Sequence, residues 1–257
     1  MFDRKMLPNV GRHVYGLGGI ALGLVGLTWG DFAAVWQPVP AEFPHRRTLA
    51  YITAICFLVA GLATQWRKTA RSGLVVLSLL YLGAALLWVP RVVSYPRIFG
   101  TWAGVAEQLG IVAGGVAAYA SLGQGNSDAD LRVGELGRVL FGVCAVMFGL
   151  AHFSALPQTA EMVPHWIPPG QRFWAIATGV FHIMAGLAIL TRVQAKVASR
   201  LETAMIIGFG VLVWAPSLVS DPKVHMVWAG NSVNLALVGA AWAVADWLNE
   251  PRGLRAL

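Results

Sequence analysis

Eight runs of apolar residues, each about twenty long, follow one another through this chain: 13–30, 48–66, 72–90, 98–121, 139–156, 173–191, 203–220 and 224–245. A helix rises about 1.5 Å per residue, so such a run matches the roughly 30 Å of hydrocarbon in a bilayer. The ten-residue alternation of a membrane barrel is absent. The expected class is therefore an all-α membrane protein with eight transmembrane helices. Composition agrees: only 12% of the 257 residues are charged, against about a quarter in a soluble domain. No nucleic-acid partner is expected from the +7 charge, because basic residues beside membrane helices account for it. The start, "MFDRKMLPNVGRHVYG", lacks a small-residue cleavage site after a short apolar core, so no removable signal peptide is expected.

Lys and Arg collect on the cytoplasmic side of membrane helices. Arg4, Lys5, Arg12, Arg67, Lys68, Arg71, Arg132, Arg138, Arg192, Lys196, Arg200, Arg252 and Arg255 would share one side, thirteen of the nineteen cations. Arg46, Arg47, Arg91, Arg97, Arg172 and Lys223 would lie on the other. Both termini are thus expected in the cytoplasm, with the proline-bearing connectors outside.

The chain also repeats itself. Residues 88–104, "WVPRVVSYPRIFGTWAG", and residues 214–230, "WAPSLVSDPKVHMVWAG", agree at eight of seventeen positions, 126 residues apart. At the same offset Gly11-Arg12 matches Gly137-Arg138, Gly16 matches Gly142, and Gly23-Leu24 matches Gly149-Leu150. Four spans per half give both halves one orientation, a parallel repeat about an axis along the membrane normal. The expected arrangement is two parallel four-helix repeats, 1–121 and 135–257, joined by a cytoplasmic linker at 122–134.

Function is sought among the polar residues that the spans retain, because ionisable groups there are costly. These are Glu107 and Gln108 in the fourth run, His152 in the fifth, His182 in the sixth, and Asn231 and Asn234 in the eighth. The amides also suit interhelical hydrogen bonding. If helix ends lie level, Glu107 and His182 sit roughly 14–16 Å deep and can pair, while His152 sits about 10 Å nearer the outer edge than His182. That separation disfavours haem b between the two histidines. Asp31, His45, His165, Asp221 and His225 gather near the outer loops without ligand spacing, and Cys56 and Cys144 stand far apart, so no metal site is expected.

The stretch 148–192, "FGLAHFSALPQTAEMVPHWIPPGQRFWAIATGVFHIMAGLAILTR", resembles the DoxX-like family of small four-helix bacterial membrane proteins. Gly149, His152, Phe153, Val163, Pro164, Pro168, Gly179, Val180 and Gly186 stand on its pattern. His182 departs from it, standing where the family more often has Glu. The first half keeps the frame without the polar marks, with Gly26 and Phe57 at the positions of His152 and His182. The resemblance implies residence in the bacterial inner membrane and an accessory or quinone-associated role in a membrane redox system. A quinone or flavin would have to be bound, and a mid-depth His or Glu could exchange its protons. The partners are then the lipid bilayer and another membrane or redox protein. The rival from a different class is a non-enzymatic binding or assembly protein gripping a lipid or partner helix. In either case His152, His182 and Glu107 are the candidate polar groups, within a cavity walled by Phe153, Trp166, Phe173 and Trp174. Such a site has aromatic surface for a flat ligand and few polar groups to orient it.

Overall fold

The computed structural model describes residues 9–123 and 127–250. The end cations Arg4, Lys5, Arg252 and Arg255 lie outside the described residues. The helices are α1 (Val10–Trp29), α2 (Arg46–Ala63), α3 (Ala70–Ser94), α4 (Phe99–Leu122), α5 (Asp128–Ser154), α6 (Leu156–Met162), α7 (Gln171–Thr191), α8 (Ala195–Ser220) and α9 (His225–Asn249). All but the seven-residue α6 are long and apolar enough to cross a membrane. Among the described residues there is no strand.

Two boundaries differ from expectation. Helix α5 begins at Asp128, inside the stretch expected to be linker, with Ser127 as its N-cap accepting from the Asp130 N–H at 3.0 Å. The Asp128 and Asp130 carboxylates in the first turn favour a start there. Helix α8 begins at Ala195 rather than 203. At the neighbouring end of α7, Arg192 takes a left-handed conformation, φ 63°, and the Arg138 guanidinium donates to the carbonyls of Ile189 and Leu190. A buried cation thus serves the orphan acceptors of a helix terminus.

In lipid, helices associate through close packing and small residues rather than through the hydrophobic effect. In the first half α1 packs on α2, α2 on α3 and α3 on α4; in the second, α5 packs on α7, α7 on α8 and α8 on α9. Between the halves α1 lies on α9, α4 on α5, and α4 on α9. Close approaches recur at the same offset. Gly11 abuts the backbone of Ala243, and Gly137 abuts that of Ala117. Gly114 meets Ala240, its own counterpart 126 residues on. The Trp102 indole N–H donates to the Pro96 carbonyl at 3.0 Å, and that of Trp228 to the Pro222 carbonyl at 2.8 Å.

One helix breaks the correspondence. The buried face of α3 is Ala70, Gly73, Leu74, Leu77 and Tyr81; that of α8 is Ala195, Ala198, Ser199, Glu202 and Ile206, each 125 residues on. Yet Trp88 and Trp214, which cover Gly104 and Gly230 alike, are 126 apart. The extra residue is taken up by a π-helical turn at Gly210–Trp214, where the Ala215 N–H donates to the Gly210 carbonyl. Such turns keep a helix continuous around one inserted residue.

Candidate functional site

The site is built where α5, α7 and α8 meet. Gly149 lies against the Gly179 carbonyl and Gly186 against the Gly142 carbonyl, so the backbones of α5 and α7 approach closely at both levels. These contacts, and not the helix ends, fix the register. Gly179 is level with His152, its ideal Cβ position being 2.9 Å from the His152 Cβ. His182 is three residues further along α7, only about 4.5 Å deeper. The first turns of α7 overshoot the end of α5 by about 9 Å, which corrects the expectation of level ends. His152 and His182 are therefore neighbours, with ring centroids 5.1 Å apart. The level difference of about 10 Å that disfavours haem between them is therefore absent.

His182 does not meet Glu107. Its Nδ1 lies 2.7 Å from Oε1 of Glu202, two turns into α8, and the two side chains are 3% and 0% exposed. One proton is shared between them: Nδ1–H donates if the carboxylate is ionised, and the carboxyl O–H donates if it is not. Where His182 Nε2 also carries a proton the pair is net neutral in both arrangements, the cheaper state for ionisable groups inside a membrane. Oε2 of Glu202 is buried without a hydrogen-bond partner. His152 Nδ1 is 2.8 Å from the Phe148 carbonyl. A carbonyl only accepts, so Nδ1 carries the proton and donates, and in the neutral ring Nε2 holds a lone pair. Phe209 completes the cluster, 6.0 Å from the His152 ring and 5.7 Å from the His182 ring, and Phe148 stands edge-on to His182 at 5.8 Å. Phe209 immediately precedes the π turn. The extra residue of α8 thus lies beside the ring that covers both histidines.

Glu107 serves another place. Its Oε2 accepts from the Trp36 indole N–H at 3.1 Å. Trp36 is 5% exposed, because the α1–α2 connector folds back into the bundle and sets Trp36 against Trp214 at 5.9 Å. The expected Glu107–His182 pair fails because α4 packs on α3, α5 and α9 rather than on α7, and Glu107 bonds a loop residue instead. The aromatic candidates also separate. Phe153 packs by its ring edge on Gly179 and is half-exposed. Trp174 donates from its indole N–H to the Pro168 carbonyl at 2.9 Å. Trp166 and Phe173 are 74% and 53% exposed and wall no enclosed site. Asn231 donates to the carbonyls of Trp214 and Val227, at 2.9 and 2.8 Å, and Asn234 donates to Ile206 at 3.5 Å. Of the outer set, Asp31 pairs with Arg46 at 2.8 Å and His225 stacks on Trp29. Among the described residues no three His, Cys, Asp or Glu side chains converge as metal ligands.

Glu202 is the residue that sequence reasoning misses. It sits one position before the expected span 203–220, behind Lys196 and Arg200. The usable signal is the spacing 195, 198, 199, 202, 203, 206, a helical face of small and polar residues that continues through the basic segment.

Residues 135–215 match the DoxX family model, within the half that carries this cluster. No curated protein and no solved structure matches the chain.

Proposed function

From a second half that is DoxX-like over residues 135–215, we propose that this half is the working part of a quinone-associated accessory subunit in a membrane redox system. The first half is its fused structural partner. The observation that carries the reading is the His182–Glu202 pair at mid-span, with His152 against it. Structural needs alone do not favour such a pair, because apolar residues of similar volume stabilise a bundle as well or better. It suits a site that holds a proton until a ligand takes it.

A bound quinone would supply two-electron, two-proton chemistry, with electrons delivered by a partner redox protein. The donor set fits it: the lone pair of His152 Nε2 can accept from a hydroquinone hydroxyl, His182–Glu202 can give or take the proton, and Phe209 and Phe153 offer aromatic surface. The matched contacts 126 residues apart support two parallel repeats about an axis along the membrane normal. The cation distribution supports cytoplasmic termini in a bacterial inner membrane. Reporter fusions after residue 127 should be cytoplasmic and those after residue 44 external; the reverse would overturn that orientation.

The direct test is the quinone content of the full-length protein after gentle detergent extraction. The wild type should retain quinone, and Glu202→Gln and the double variant His182→Phe with Glu202→Leu should lose most of it while remaining folded by circular dichroism. Equal quinone in the variants would remove the pair from the site. An unrelated membrane enzyme held with no quinone at all would replace this reading with a non-enzymatic binding or assembly protein.

A further inference from the structure

A groove of about 190 Å³ opens in the first half, away from the histidines. Its walls are Leu74, Val75 and Leu79 of α3, Gly115 and Val116 of α4, and Val133 of α5. Val75 and Leu79 are exposed and lie on a spanning helix, so the groove faces lipid rather than water. Ser78 Oγ and the Tyr15 hydroxyl both crowd against Gly115, and the groove surface is almost wholly apolar. A side chain at position 115 would need the space they occupy. The second half lacks the same face, because Gly115, Val75 and Leu79 correspond to Ala241, Arg200 and Ala204.

One end of the groove is basic. Tyr119 closes it there, with the Arg71 guanidinium 4.8 Å over its ring and held by Asp130 at 3.1 Å. Arg67 and Lys68 stand exposed in the turn just before α3. From Arg71 to Leu79 is about 12 Å along the helix, the reach from a headgroup into the upper acyl region. Arg71 at the rim of a lipid-facing apolar slot, with Arg67 and Lys68 four and three residues before it in the exposed turn, makes a phosphate-plus-chain pattern, and basic pockets between membrane helices recognise anionic headgroups.

We infer that this groove is a binding site for one anionic phospholipid, its acyl chain between α3 and α4 and its phosphate held by Arg67, Lys68 and Arg71. The site is independent of the histidine cluster and of any quinone reading.

The experiment uses the full chain, delipidated and returned to nanodiscs of phosphatidylcholine with or without phosphatidylglycerol. Retained lipid is then read by native mass spectrometry and unfolding by thermal melt. One phosphatidylglycerol per chain should survive release and raise the melting temperature, while phosphatidylcholine should do neither. Val75→Trp, which fills the slot, should abolish retention. Arg67→Gln with Lys68→Gln should weaken it about tenfold or more, since each cation near an anionic surface contributes about 1 kcal/mol. That pair sits on an exposed turn and reports even if the tryptophan variant does not fold. Leu62→Trp, on another lipid-facing surface, is the control and should retain lipid normally. Equal retention of phosphatidylcholine, or unchanged retention in either groove variant, would leave only annular lipid and overturn the proposal. Stabilisation by inorganic phosphate to the same extent would also overturn it, because the chain would then contribute nothing.

Discussion

Replacing Glu202 by Ala should destabilise the protein by about 3–5 kcal/mol, the range for removing one partner of a buried ion pair. His182 is 3% exposed and its Nδ1 has Glu202 as partner at 2.7 Å, so the single change strands a polar ring inside the membrane. The double variant His182→Phe with Glu202→Leu should recover most of that loss. It installs the residues that the first half already carries at these positions, Phe57 and Leu77, which are 1% and 0% exposed there. Replacement of a buried pair by well-packed apolar side chains is often neutral or stabilising. Chemical or thermal unfolding in detergent measures all three proteins. A double variant no better than Glu202→Ala would mean that the pair holds the bundle together, and would remove the argument that it is kept for function. If the double variant is stable yet holds no quinone, stability and function are separated.

Gly114→Leu should have a comparably large effect by a different route. A Cβ at Gly114 would overlap the Cα and Cβ of Ala240, where α4 and α9 of the two halves cross. There is no room to rotate away, since both partners present backbone. Overpacking costs about 1–3 kcal/mol and occasionally more, and the close approach of small residues is the main attraction between helices in lipid. Gly83→Leu and Gly100→Leu are the controls, because nothing lies within 4 Å of a Cβ at either position. They should melt within a degree or two of wild type. Gly114→Leu should melt far lower. Equal tolerance at all three positions would contradict the described contact between the halves.

The spans were legible because bilayer thickness dictates them directly, and the Trp–Pro turns because residue identity alone marks them. Depth was not legible. The levels of His152 and His182 depend on where Gly149 meets Gly179, a contact between distant segments that leaves α7 protruding past α5. Glu107 is a second case: nothing in the α1–α2 connector announces that Trp36 will fold inward to it. Glu202 escaped for a third reason. Hydropathy closes a span at its nearest charges, whereas α8 runs through Lys196 and Arg200 for two turns before Glu202 reaches His182. Apolar length is a property of one segment; a polar constellation belongs to several.

The π turn in α8 bears on what holding both halves in one chain makes possible. In a symmetric pair of separate chains every change of sequence acts twice, at both copies of a position. An added residue would then lengthen two helices and shift two sets of neighbours. In this chain the addition occurs in one half, and Trp214 still covers Gly230 as Trp88 covers Gly104. The disturbance ends within five residues, and Phe209 stands at its edge over both histidines. The second half thus differs from the first at its centre while its Trp–Pro turn still matches. Separate identical subunits have no route to that state, because they cannot differ from one another.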